Sequence, residues 1–294
     1  MQYHKPVMAN ELVGSMLVRD GLNYIDCTLG DAGHTLEILK FGGKVLGLDV
    51  DADALVRAGT RIKDLGLSDY FTGIQGNFKN IDKLAEEHGF SQVAGVFYDL
   101  GYSSYQLEKK DLGLSFLKEQ ELDMRLDSTL GVTAADLVNA LPERELANIF
   151  FSYSDERLGN RFARAIAKRR DLKKFRTTKD LADLIVDAAP SGYEHGRIHP
   201  ATRVFQALRI AVNDEITNLT LSLPRAAALL LPGGRMAVIS FHSLEDKTVK
   251  DFGRSARPHI RQVTEKPLVP GLAEVEGNSM SRSAKLRVFE KIDG

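Results

Sequence analysis

Cysteine is almost absent from this chain: Cys27 stands alone among 294 residues, which excludes an internal disulfide framework and fits a reducing compartment. Long apolar runs are missing too. The longest run near a span, Ala226 to Leu231, falls far short of a membrane helix. The first residues, Met1-Gln2-Tyr3-His4-Lys5-Pro6-Val7, lack the apolar stretch of a secretory leader. Neither sign of charge dominates, since 39 Lys and Arg oppose 40 Asp and Glu, for a net charge of −1. Any contact with nucleic acid must therefore come from local patches. These absences describe a soluble, cytoplasmic chain with no membrane partner. Its length suits two domains, and an apolar fraction of 43% suffices for ordinary cores.

The stretch that organises the chain is Tyr24-Ile25-Asp26-Cys27-Thr28-Leu29-Gly30-Asp31-Ala32-Gly33-His34. It reads as a buried strand, a glycine turn and the start of a helix. A second strand, Lys44 to Leu48, ends in Asp49, nineteen residues after Gly30. A carboxylate at that offset is placed to grip a ribose diol. The loop lacks the third glycine of G-x-G-x-x-G, and Asp31 would stand where a pyrophosphate belongs. S-adenosyl-L-methionine has no phosphate and carries a sulfonium and an ammonium, so carboxylates favour it. That reading is preferred over a nicotinamide dinucleotide and over a ligand-free turn.

A third strand is predicted at Tyr70 to Gln75, leading to Asn77 and Phe78, and a fourth at Val93 to Tyr98, leading to Asp99. Phe78 suits either an adenine flank or a core cap. Asp26, Asp49, Phe78 and Asp99 all fall near carboxyl ends of strands, where ligands of such sheets bind. After Gly101 the alternation stops. Helices are predicted at Ala134 to Leu141, Glu143 to Phe151, Arg157 to Arg169 and Lys179 to Ala188, with Thr133 and Thr178 as start signals. One helix then runs from Ala201 to about Leu223, before a fifth strand, Arg235 to Phe241. Residues 266–283 read as a flexible loop, and Ala284 to Ile292 as a last strand. The expected fold is α/β, a class I methyltransferase-like (Rossmann-like) doubly wound sheet with an inserted all-helical domain. The catalytic domain would take 1–106 and 199–294, and the helical substrate-recognition domain 107–198.

The inserted block is basic: Ser152 to Asp180 holds ten Lys or Arg against four acids. Arg254 to Arg287 holds seven against three. Each reads as a phosphate-binding surface or as a solvated face. Methylation of pyrimidine carbon five needs a cysteine nucleophile, and Cys27 lies inside a strand, which argues against that chemistry. An exocyclic amine needs no covalent catalyst, only acceptors for its hydrogens. Asp99 could serve there, or hold the methionyl ammonium instead. The Pro-Pro-aromatic signature of amino-methyltransferases is missing after Asp99. His195 and His199 straddle Gly196 and precede Pro200, a poor arrangement for metal ligands, so no metal is expected. His242 either contacts substrate or fixes a loop. The sequence leaves monomer and homodimer open.

Several segments together resemble the bacterial ribosomal RNA small-subunit methyltransferase H family. They are His4-Lys5-Pro6-Val7-Met8, Asp26 to His34, Asp99-Leu100-Gly101-Tyr102-Ser103-Ser104-Tyr105-Gln106, Leu122-Asp123-Met124-Arg125, the twelve residues His199 to Ile210, Ser240-Phe241-His242-Ser243-Leu244-Glu245-Asp246, and Arg282 to Arg287. The resemblance implies methyl transfer to the exocyclic N4 amine of a cytidine, 1402 in the usual 16S rRNA numbering, in an assembled small subunit. It implies cofactor contacts from Ala32, Gly33, His34, Asp49, Phe78, Asp99 and Gln106. Ala32 departs from a usual glycine, and Glu121 from a common proline. Asp99, Tyr102, Ser103, Ser240 and His242 are expected to line the acceptor site, and Arg125, Arg197, Arg203 and Arg209 to hold RNA. The rival readings are a methyltransferase for another acceptor, a non-catalytic RNA-binding assembly factor and, weakest, a dehydrogenase.

Overall fold

The computed structural model describes residues 5–108, 111–196 and 198–292. In chain order the elements are α1 (Ala9–Met16), β1 (Asn23–Asp26), α2 (Gly33–Lys40), β2 (Lys44–Asp49), α3 (Ala52–Asp64), β3 (Phe71–Gln75), α4 (Ile81–Glu87), β4 (Val93–Asp99) and α5 (Ser104–Glu108). The helical stretch α6 (Ala134–Ala140), α7 (Glu143–Ser154), α8 (Gly159–Leu172), α9 (Thr178–Ala188) and α10 (Ala201–Asn213) follows. The chain ends with α11 (Glu215–Leu229), β5 (Leu230–Ser240), α12 (Ser243–Ser255), β6 (Ile260–Gln262), α13 (Leu272–Gly277) and β7 (Lys285–Lys291).

Among the described residues, seven strands form one sheet in the order β3-β2-β1-β4-β5-β7-β6. The first five run parallel, and β7 is antiparallel to both neighbours. Apolar runs such as Val93 to Tyr98 are buried throughout, as a sheet covered on both faces requires. One face packs under α1, α2 and α3 through Leu12, Met16, Leu36, Leu39, Ala58 and Ile62. The other packs under α4, α11 and α12 through Ile81, Ala85, Leu219, Leu223 and Val249. This α/β doubly wound sheet is the architecture that strict strand–helix alternation implied.

The chain divides into two compact units, 1–103 with 216–294, and 104–215. The second is all-helical and has its own core, including Val138, Phe150, Phe162, Ile166, Ile185, Val204 and Leu208. The sequence boundary at 198/199 is displaced because α10 packs on α6, α7 and α9 within this unit. The single helix expected from Ala201 to Leu223 is two. Asp214 adopts φ 50° and ends α10, and Asn213 turns its side chain to Leu126 N and Met124 O. Aspartate is among the residues that tolerate that left-handed geometry. Residues 266–283 contain helix α13 and a turn of 3₁₀ helix rather than an unstructured loop.

The start of α9 is also moved by one residue. Thr177 is the cap, in a reciprocal capping box with Asp180, while Thr178 is buried. The Thr178 hydroxyl donates to Lys118 O at 2.8 Å and accepts from Gln120 N at 3.1 Å. Thr177→Ala is expected to lower stability by about 1 kcal/mol. Thr178→Val, which strands buried partners, should cost about 1–3 kcal/mol and shift the denaturant midpoint further. Equal midpoints for the two variants would contradict this assignment.

Candidate active site

Three adjacent parallel strands, β2, β1 and β4, each end in an aspartate. Asp26 is buried, and its oxygens accept Thr28 N at 3.0 Å and Thr35 Oγ1 at 2.7 Å. Burial pushes its carboxyl from 3.8 up to about 6 against the pull of those hydrogen bonds. Asp49 accepts Gly30 N and Asp51 N, each at 2.9 Å, so it fixes the loop after β1 and the start of α3. Burial likewise raises it to about 6. The backbone N–H of Asp99 donates to Thr28 Oγ1 at 2.7 Å, which ties β4 to β1. The Asp99 side chain keeps 20% exposure and meets the buried His34 ring, Nε2 to Oδ2, at 3.2 Å. Burial alone would lower the His34 pKa. The hydrogen bond to Asp99, with the charges of Asp99, Asp26 and Glu274, outweighs it and holds the ring above its ordinary value.

The loop from β1 into α2 is tightly built. Ala32 takes φ 59° at the N-terminus of α2, where a glycine would be unstrained. Gly33 is irreplaceable for another reason: a Cβ there would lie 2.9 Å from Pro6 Cβ. The Pro6 segment is itself held. Met8 N donates to Glu274 Oε1 of α13 at 2.6 Å, and Asn278 Nδ2 donates to Lys5 O at 3.3 Å.

Among the described residues, two buried polar atoms here lack a hydrogen-bond partner: Asp99 Oδ1 and His34 Nδ1. Leaving them so would cost free energy unless a ligand completes them. Three aspartates and one histidine cluster at this loop, so acidic groups predominate. That combination fits a cationic nucleoside donor such as S-adenosyl-L-methionine. Asp99 Oδ1 is an acceptor for an ammonium or amine, and Asp49 keeps lone pairs for sugar hydroxyls. Phe78, at the end of β3, packs edge-on to Tyr98 with ring centroids 5.6 Å apart and remains half-buried. Asn77 is occupied in capping Lys79 N at 2.9 Å.

Other expected residues are placed differently. Asp31, read as a carboxylate inside the loop, pairs with Arg57 of α3 at 2.8 Å. The acidic groups left at the strand ends are therefore Asp26, Asp49 and Asp99. Ser240 is buried and its hydroxyl donates to Lys285 O at 3.4 Å, in the sheet. His242 caps α12, and Glu245 accepts Phe241 N at 2.8 Å, so this histidine fixes the loop after β5. Tyr102 and Ser103 are half-buried directly after Asp99 and Gly101. In the helical unit, Gln106 is buried in α5. Arg125 is chelated by Asp123 at 2.7 and 2.8 Å and donates to Leu130 O, so it is structural. Arg209 is clamped by Glu215 at 2.8 and 2.9 Å and plays a like part. Arg203 is half-exposed on α10. Arg197 lies outside the described residues, as does the side chain of His195. Sequence reasoning missed Thr28 and Thr35, which hold the aspartates, and Pro6 and Glu274, which brace the loop. No spacing rule signals them.

A family model described as the MraW methylase family matches residues 1–292. The chain belongs to the MraW methylase family. Members of this family are S-adenosyl-L-methionine-dependent methyltransferases. The chain is 44% identical to the ribosomal RNA small subunit methyltransferase H of Carboxydothermus hydrogenoformans, over 98% of both chains. It is 41% identical to the protein of the same name from Syntrophus aciditrophicus, over 99% of this chain and 98% of the other. A solved Clostridium thermocellum protein, a candidate rRNA-methylase by description, shares the fold with TM-score 0.50 and 15% identity. It covers 99% of this chain and is itself wholly covered. No helix among the described residues is long and apolar enough to cross a membrane.

Two outcomes follow for this site in an MraW methylase family member. Gly33→Ala should displace the Pro6 segment, cost about 1–3 kcal/mol and weaken donor binding measured by calorimetry. Unchanged affinity and melting would refute the close approach. Asp26 holds its proton more tightly folded than unfolded, so stability is lost as pH rises from about 4 through about 6. A carboxyl raised from 3.8 to about 6 carries about 3 kcal/mol. His34, also raised, loses its contribution as pH climbs above 6.5. The unfolding free energy of wild type minus that of Asp26→Asn should therefore fall by about 3 kcal/mol between pH 4 and 7. A flat difference would contradict the assignment.

Proposed function

We propose that this methyltransferase modifies small-subunit ribosomal RNA, at the exocyclic N4 amine of a cytidine in the decoding region. The names of the relatives support the RNA, and the seven sequence segments support the nucleotide. The observation that carries the chemistry is Asp99 Oδ1, a buried acceptor without a partner at the tip of β4. Bound S-adenosyl-L-methionine supplies a methyl group on a sulfonium, open to in-line displacement by an amine. The protein's part is placement and charge. Asp49 holds the donor's sugar hydroxyls while its own backbone bonds keep the loop rigid. Phe78 offers a ring edge and face to the adenine. Asp99 accepts an N–H from the acceptor amine or the methionyl ammonium through Oδ1, while His34 holds its other oxygen at 3.2 Å. Tyr102 and Ser103, next along the chain, line the acceptor side. The helical unit 104–215, with its basic helices, recognises the RNA.

Cys27 supports the choice of an amine. The thiol is buried and its pKa is pushed well up by burial, so it is no nucleophile for carbon-five chemistry. Incubation of purified protein with donor and undermethylated small subunits, followed by nucleoside mass mapping, should yield N4-methylcytidine. Methyl groups on carbon five or on ribose would overturn the amine assignment. Asp99→Asn keeps the shape and removes the charge. It should reduce turnover about 10²–10³-fold with little change in melting temperature. Full turnover in that variant would remove Asp99 from the mechanism.

A further inference from the structure

The two basic runs of the sequence have different fates in the structure. In the second, Lys285 and Arg287 pair with Asp246, and Arg261 with Glu290, so much of its charge is neutralised internally. In the first, some cations are also consumed. Arg170 donates to the carbonyls of Val138 and Leu141, Arg169 to that of Lys173, and Lys173 meets Asp180. Lys179 likewise pairs with Asp183, and Lys174 and Arg176 lie exposed beyond the helix. Four of the others fall in one line. Helix α8 buries Phe162, Ala163 and Ile166. Arg161, Arg164 and Lys168 occupy the opposite face at i, i+3 and i+7, and Arg157, in the turn before the helix, continues that line. All four are exposed. Arg157, Arg161 and Lys168 make no ion pair among the described residues, and Arg164 has only an exposed contact with Glu143 at 3.4 Å.

A helix shaped for its own stability would alternate charge along this face. Here each cation has another cation three or four residues away, which is unfavourable in isolation. An external polyanion relieves it. The three helical cations span about 10 Å along the axis at 1.5 Å per residue, and each successive pair is separated by about one turn. A run of phosphates presents charge at comparable intervals, whereas a protein surface mixes signs. We infer that the stripe Arg157, Arg161, Arg164 and Lys168 is a docking rail for the RNA phosphodiester backbone. It positions the substrate without reading bases. The inference rests on the reading that small-subunit RNA is the substrate.

The test compares wild type, Arg161→Gln/Lys168→Gln, and the control Lys63→Gln, whose exposed cation lies on α3. Binding to small subunits is measured from 50 to 200 mM salt, with methyl transfer kinetics and melting curves on the same samples. Loss of two phosphate contacts should reduce the slope of log affinity against log salt by about 1.4–1.8. The KM for subunits should rise about tenfold at 50 mM salt. The kcat at saturation, the melting temperature and the Lys63→Gln values should stay at wild type. If wild type methylates subunits and the double variant keeps its KM and salt slope, the rail is only a solvated face. A rise shared with Lys63→Gln would mean diffuse charge and would equally overturn it. If wild type neither binds nor methylates subunits, the functional reading itself falls, and the rail with it.

Discussion

Burying a carboxylate at the end of a parallel strand costs enough to lift Asp26 and Asp49 to about 6, and this protein does so at adjacent strands. The cost is offset by backbone and hydroxyl donors: Thr28 N and Thr35 Oγ1 on Asp26, Gly30 N and Asp51 N on Asp49. Each donor sits on a loop that would otherwise be free to move. The carboxylates thus brace the turns after β1 and β2 from within. The same oxygens have lone pairs left over for a ligand. Rigidity and recognition rest on one set of atoms, so a substitution aimed at one reaches the other.

Asp99 and His34 extend this logic to β4. The imidazole sits where burial disfavours its charge, yet its hydrogen bond to Asp99 and the neighbouring carboxylates raise its pKa above the ordinary value. The pair leaves one acceptor, Oδ1, and one ring nitrogen, Nδ1, unbonded. Such a site is poised rather than satisfied. An acceptor and a ring nitrogen held this way suit a ligand that brings hydrogen-bonding groups of its own. Family membership and this local geometry therefore point the same way from independent starting points.

The sheet and its ligand edge were legible because strand–helix alternation, the loop glycines and the offset of Asp49 are local signals. Other residues turn out to have protein partners that the sequence reading did not weigh. Asp31 looked like a ligand group because nothing nearby in sequence claims it; Arg57, twenty-six residues on, does. Arg209 and Arg125 looked like RNA contacts, yet Glu215 and Asp123 chelate them. Ser240 ends a strand buried throughout from residue 236, where its hydroxyl meets Lys285 O. The break at Asp214 carries no Gly or Pro, since it is made by Asn213 reaching back to residues 124 and 126. The Thr177 cap, by contrast, was readable: Asp180 stands three residues on, as the box requires.

The brace between Met8 and Glu274 joins residues 266 positions apart in the chain. During synthesis the helical core, drawn from residues 122–212, is complete while β5, β7 and α13 have yet to emerge from the ribosome. The segment packed against the loop after β1 acquires its last support only when α13 appears. Nascent and prematurely truncated chains therefore carry a complete helical core without a fully braced loop after β1. Contacts so distant in sequence also place closure of this loop among the slow, late events of folding.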